Sequence, residues 1–300
     1  MRELLLLASI ILGQLTPNAH ILTQVQNKLS LAPRAATQNT AQKEAGHITA
    51  QPTKTVLEDY TATAQAVYSI DVSSNEVLTS KDTGKRLQIA SVTKLMTAYV
   101  TLKEEDLNKV FTVTSLNGQA GDSTMGLAPG DQMSVRSLLD GLLINSGSDA
   151  ATTLAMGNAG SQDAFVAKMN VAAMSLNLTN THFANPVGWD DTGNYSSAKD
   201  ITELSRILLR DKIFAEIVAT KSKTVTTVAG RSLPLATTNQ LLYTPGYIGV
   251  KTGFTYGAGE CLVSLYKEGD RQILTTVLGS ANRFGETDSI KGWILTHFSW

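Results

Sequence analysis

The stretch "QIASVTKLMTAYV", residues 88–100, sets Lys94 three positions after Ser91 and surrounds the pair with apolar residues at Val92, Leu95, Met96, Tyr99 and Val100. Counted from Val92, that is the i, i+3, i+4, i+7, i+8 stripe of an amphipathic helix packed on a core. Ser91 then falls near the helix N-terminus, where backbone N–H groups lack partners and the local field favours negative charge. Lys94 lies on the same face, within reach of the Ser91 hydroxyl. A hydroxyl beside an amine, under a field that favours an oxyanion, describes an activated nucleophile. The spacing alone is a weak signal. Serine is an ordinary N-cap, and Ser196–Lys199 and Ser264–Lys267 repeat the pattern.

The rest of the chain narrows the chemistry. It has 300 residues, a formal net charge of -1, 42% hydrophobic and 17% charged residues. The near-neutral balance argues against nucleic acid as a partner. Cys261 is the single cysteine, so no intrachain disulfide forms, and no Cys or His cluster has metal-ligand spacing. No metal or other cofactor is expected. A Ser-His-Asp triad would have to draw on His182 or His297 and is set aside.

The N-terminus, "MRELLLLASIILGQL", carries an apolar run from Leu4 to Leu12. At about 20 residues for a bilayer span, the run is too short to cross one, and it resembles a secretory signal. Glu3 cancels Arg2, and Ala19 is the one candidate cleavage point. Residues 1–20 therefore read as a signal peptide, with an uncleaved membrane anchor as the alternative. Residues 21–59 read as a flexible polar linker, on the Thr-, Gln- and Ala-rich composition from Ala35 to Asp59. The alternative is a surface arm packed on the domain. Residues 60–300 form the globular part.

Within it, "AVYSIDVSSNEVLTS" (66–80) reads as two strands around a polar turn. Helices are expected over 134–157, broken at "NSGS", over 161–176 and over 200–211. Strands return in "GYIGVKTG", "ECLVSLY" and "QILTTVLG", and a last helix runs through "DSIKGWILTHF". Early and late strands joined in one antiparallel sheet, with a helical block beside it, make an α+β layout.

Three short stretches fit together: Ser91-Val92-Thr93-Lys94, then Ser146-Gly147-Ser148-Asp149 at a helix break, then Lys251-Thr252-Gly253 at a strand end. The Lys-Thr-Gly triplet occurs once. Order, spacing and context together are far more specific than any member. On these motifs, and on "LLINSGSDAA", "THFANPVGW", "NYSSAKDITELSR", "TTNQLL" and "GVKTGFTYGAGECLV", the sequence from about Ala62 onward resembles the serine-type D-Ala-D-Ala carboxypeptidases, low-molecular-mass penicillin-binding proteins.

The resemblance implies a penicillin-binding, β-lactamase-like fold: an antiparallel sheet with flanking helices plus an all-helical subdomain. It implies removal of the terminal D-Ala from peptidoglycan stem peptides through an acyl-serine, outside the cytoplasmic membrane, with β-lactams as covalent inhibitors. Ser91 would be the nucleophile and Lys94 its base, made neutral by burial and by the second cation, Lys251. Ser146 would relay a proton between Lys94 and the leaving amine. Lys251 and Thr252 would hold the substrate carboxylate, Gly253 would let the substrate backbone approach, and the N–H groups of Ser91 and Phe254 would form an oxyanion hole. Membrane attachment, if present, is expected at the N-terminus, because the family's C-terminal β-rich domain and anchor have no counterpart after the last helix. Two departures stand out. Ser148 replaces the usual asparagine of the second motif, and Asn194 stands where relatives often carry histidine. The same machinery also suits a D,D-endopeptidase, a β-lactamase or an inactive wall-peptide binder. Between Ser146 and Lys251 only Glu203 and Glu216 occur, and neither sits in the Glu-x-x-Leu-Asn context of a deacylating β-lactamase glutamate.

Overall fold

A computed structural model describes residues 51–114, 118 and 121–300. The leader, with Ala19, and most of the polar segment lie outside the described residues. The chain enters through β1 (Thr53–Lys54), then β2 (Ala66–Asp71) and β3 (Val77–Lys81). A 3-10 turn, Ala90–Thr93, leads into α1 (Lys94–Glu104). The strands β4 (Val110–Thr112) and β5 (Gln132–Ser134) pair as a small ribbon before α2 (Val135–Leu143), α3 (Ser148–Ala159) and α4 (Gln162–Ser175). Next come α5 (Ala198–Leu208), α6 (Lys212–Val218) and a hairpin of β6 (Ser222–Thr226) and β7 (Ser232–Ala236). The chain closes with β8 (Tyr247–Thr255), β9 (Gly259–Glu268), β10 (Arg271–Ser280), α7 (Arg283–His297) and β11 (Phe298–Ser299).

One antiparallel sheet, in the order β3-β2-β10-β9-β8, organises the molecule. Its strands are apolar on both faces because helices cover both. Side chains alternate along a strand. Accordingly Val67, Leu262, Tyr266 and Val277 join Ile290 and Ile294 of α7 in one core. Ala66, Tyr68, Ile70, Cys261, Val263 and Leu274 join α5 through Ile201 and Leu204 in the other. That second core continues into α1–α4 through Leu95, Met96, Leu138, Leu154 and Phe165. The expected sheet with flanking helices and a helical region is what forms.

Local chemistry sets the helix starts. Ser134, Ser161 and Ser197 accept hydrogen bonds from Ser137, Ala164 and Asp200 N–H and so cap α2, α4 and α5. The cap at Ser197 places α5 at 198–208, displaced from the expected 200–211. Asp211 then caps α6, a helix the sequence reading did not separate. The two small hairpins were also missed. Their strands span three to five residues with exposed alternate positions, too short for a period to stand out.

The polar segment is not a free tether up to Asp59. Thr53 and Lys54 pair with Ser299 and Phe298, and Thr55 N–H donates to His297 O at 2.8 Å. Pro52 is buried, and the Lys54 ammonium sits 5.5 Å from the Trp293 ring centroid. One short backbone ladder, the Thr55 bond and a cation–π contact hold Thr53–Thr55 against the end of the chain.

Candidate active site

Ser91 lies in the 3-10 turn, and Lys94 opens α1 directly behind it. The turn is held tightly. Ala90 sits at φ 48°, in the left-handed region. A Cβ on Gly188 would stand 2.0 Å from Ala90 O, and one on Gly253 would stand 2.8 Å from Ile89 O. Gly253 is therefore needed for β8 to press against the Ser91 turn, a reason different from the expected approach of substrate. Ser146 occupies a second strained position at φ 59°. Such strain costs about 1–3 kcal/mol per residue. Fully buried Ile89 and Leu95 each stabilise by about 1.5–3 kcal/mol, so the core readily holds it.

Lys94 is fully buried. Its Nζ donates to Ser91 Oγ at 2.8 Å, to Val187 O at 2.8 Å and to Ser148 Oγ at 3.5 Å, a long and weak contact. Burial lowers its pKa to about 7, while the negative charges of Asp122 and Asp149 pull it upward. Desolvation thus does what burial and Lys251 were jointly expected to do. Lys251, 1% exposed, donates from Nζ to Ser146 Oγ and to Thr252 O, both at 2.8 Å. Its pKa falls well below the usual lysine value, first through burial and then through the charges of Lys94 and Arg283. Ser146 is therefore bonded to the second lysine, and Ser148 is the member of that motif facing Lys94.

These groups surround a cavity of about 190 Å³ lined by Ser91, Ser146, Ser148, Thr252, Gly253, Phe254, Trp189, Asp122, Thr238 and Arg283, with other residues. Thr252 Oγ1 lies 2.6 Å from Thr238 Oγ1. Lysine 251 does not line the cavity. The cation that does is Arg283, at the start of α7, whose Nη1 donates to Gly253 O at 2.8 Å. Sequence reasoning missed it because nothing local to "ANRFGE" marks it; only the start of α7 at the end of β10, from which the guanidinium reaches Gly253 O of β8, brings it to the site.

The walls are built from backbone. Asp149 accepts from Met125, Gly126 and Leu127 N–H, each at 3.0 Å, tying one wall to the second motif. Asn185 accepts from Val187, Gly188 and Trp189 N–H and shapes the turn that offers Val187 O to Lys94. Asn194 donates to Thr93 Oγ1 at 3.0 Å, which bolts the 3-10 turn to the neighbouring segment and gives this departure a use. Glu203 pairs with Arg206 and Glu216 with Arg136, and neither lines the cavity. Cys261 is buried in β9, where burial pushes its thiol up to about 11. Among the repeats of the Ser-x-x-Lys spacing, Ser264 and Lys267 lie on a strand, where it carries no facing geometry.

A hydroxyl 2.8 Å from an amine that sheds its proton near neutrality can attack a carbonyl carbon held in the cavity. The comparisons agree with this chemistry. Residues 50–282 match the family described as D-alanyl-D-alanine carboxypeptidase. The chain is 33% identical to the Bacillus subtilis D-alanyl-D-alanine carboxypeptidase DacF, over 73% of this chain and 58% of that protein. It is 36% identical to DacC of Escherichia coli, over 77% of this chain and 60% of the relative. The match thus spans about three-fifths of the length of these relatives. Among solved structures, the Streptomyces K15 DD-transpeptidase aligns with TM-score 0.73 and 31% identity, covering 80% of this chain and 100% of that one.

Proposed function

Because the chain belongs to the D-alanyl-D-alanine carboxypeptidase family, we propose that it removes the terminal D-alanine from peptidoglycan stem peptides through an acyl-serine intermediate. The observation that carries this reading is the 2.8 Å contact between Lys94 Nζ and Ser91 Oγ at the cavity wall. Neutral Lys94 takes the Ser91 proton as Oγ attacks the penultimate carbonyl carbon. The N–H groups of Ser91 and Phe254 stabilise the oxyanion. As the C–N bond breaks, the proton that Lys94 took from Ser91 is relayed through the Ser146 hydroxyl, which Lys251 orients, to the leaving D-alanine amine, so that Lys94 is neutral again and Ser146 keeps its hydroxyl. Water then hydrolyses the ester and restores the serine. An amine in place of that water would give transpeptidation from the same intermediate. Thr252, Thr238 and Arg283 hold the substrate carboxylate, the guanidinium supplying the charge-assisted contact first assigned to Lys251.

Residues 60–300 are the catalytic domain in this reading, with 1–20 an export signal or anchor and the segment up to about 50 a linker. The substrate lies outside the cytoplasmic membrane, so the domain acts there. Among the described residues no helix is long and apolar enough to cross a membrane.

A test follows from deacylation. Neither candidate glutamate is near enough to line the cavity, so water attacks a penicilloyl ester slowly. Intact-mass measurement after mixing with penicillin is expected to show an adduct that persists for minutes or longer. Rapid return to the unmodified mass, with many drug molecules hydrolysed per enzyme, would make the protein a β-lactamase instead.

A further inference from the structure

β8 ends in an exposed aromatic pair that the mechanism above leaves unused. The Phe254 side chain lines the cavity mouth yet is 54% exposed, and Tyr256, one residue beyond the strand, is 98% exposed. Their ring centroids lie 5.7 Å apart in an edge-on contact. Two aromatic rings left in water beside a cavity are unusual for a surface with no ligand. The turn that carries them is pinned. Thr255 Oγ1 donates to Asp190 Oδ1 at 2.5 Å, Gly257 N–H donates to Asp190 Oδ2 at 3.0 Å, and Ala258 N–H donates to Thr255 Oγ1 at 3.1 Å. Gly257 packs so closely on Gln88 that a Cβ there would lie 2.1 Å from its Oε1. The pair is thus a preformed ledge, with little ordering entropy left to lose when something settles on it.

Direction along the strand says what settles there. Alternate residues of a strand share a face, so Thr252 and Phe254 form a row, and the 5.7 Å ring contact sets Tyr256, in the turn that follows, beside Phe254. With the carboxylate at Thr252 and Arg283 and the scissile carbonyl at Ser91, the substrate's N-terminal part leaves the cavity past Phe254 toward Tyr256. Two residues of extended chain span about 6.6 Å, so the residue preceding the D-Ala–D-Ala pair lies over the ledge.

We propose that Phe254 and Tyr256 form a substrate subsite that takes the side chain of the residue preceding the D-Ala–D-Ala pair and favours a long unbranched aliphatic side chain over a methyl group. The ledge rests on the reading of the cavity as a D,D-carboxypeptidase site. It selects by burying methylene groups on two fixed rings, so the preference is carried in kcat/KM and is insensitive to salt.

The test compares Nα-acetyl-norleucyl-D-Ala-D-Ala with Nα-acetyl-alanyl-D-Ala-D-Ala, an uncharged pair that isolates the apolar contact. The wild-type protein is expected to prefer the norleucyl peptide by about tenfold in kcat/KM. Tyr256→Ala is expected to cut that preference to about twofold, and Tyr256→Phe to keep most of it, since the ring and not the hydroxyl makes the contact. Tyr243→Ala, an exposed tyrosine outside the cavity, is expected to leave the ratio unchanged. A wild-type ratio near one, or a Tyr256→Ala ratio equal to wild type while both peptides are cleaved, overturns the ledge and leaves the carboxypeptidase reading standing. Release of D-alanine from neither peptide overturns that reading, and the ledge with it.

Discussion

Ser91→Ala is expected to lower D-alanine release by about 10⁴-fold or more and to abolish covalent labelling by a fluorescent penicillin. The hydroxyl is the atom that forms the acyl bond, and no neighbouring group can replace it: Ser146 is directed at Lys251, and Ser148 only grazes Lys94 at 3.5 Å. Folding should be spared. Ser91 is half-buried, and after its removal Lys94 still donates to Val187 O. The melting temperature is therefore expected to move little while labelling disappears. A variant that still takes the label at the wild-type rate would move the nucleophile elsewhere, with Ser146 the first serine to test.

Lys94 supplies the second large effect. Burial brings its pKa to about 7, and only the neutral amine can accept the serine proton. The active fraction therefore grows as pH rises through about 7 and levels off above it. Below that point, acylation by penicillin is expected to fall about tenfold per pH unit. Lys94→Arg fixes a permanent cation in place of the base and is expected to cost about 10²–10⁴-fold in acylation rate, with the step near pH 7 gone. Stopped-flow acylation across pH 5–9 reads both. A wild-type rate that falls between pH 6 and 8, or an arginine variant as fast as wild type, would remove Lys94 as the base.

Much of this site can be read along the chain. The stripe after Ser91 places the helix, the break at 144–147 separates α2 from α3, and Lys251-Thr252-Gly253 falls in the expected strand, β8, which runs two residues past the strand end expected at Gly253. Each depends on periodicity or turn chemistry within one element. What was missed depends on elements meeting. Arg283 reaches the cavity because α7 starts where β10 ends and its long side chain extends to Gly253 O of β8. Gly253 has its reason in the Ile89–Ser91 backbone, remote in sequence. The partition of Ser146 to Lys251 and Ser148 to Lys94 accompanies the positive φ at Ser146, where the chain turns so that the two serines, one residue apart on either side of Gly147, meet different lysines. No spacing rule encodes that twist. The docked arm at Thr53–Lys54 likewise depends on its partner strand at the far end of the chain.

The most direct measurement is a digest of a stem pentapeptide ending in D-Ala-D-Ala, followed by mass spectrometry with assay of free D-alanine. The expected result is a tetrapeptide product, one alanine residue lighter, with D-alanine released in equal amount and no release by the Ser91→Ala protein. A pentapeptide that stays intact while the wild-type protein takes up penicillin would contradict the account and leave a wall-peptide binder in place of an enzyme.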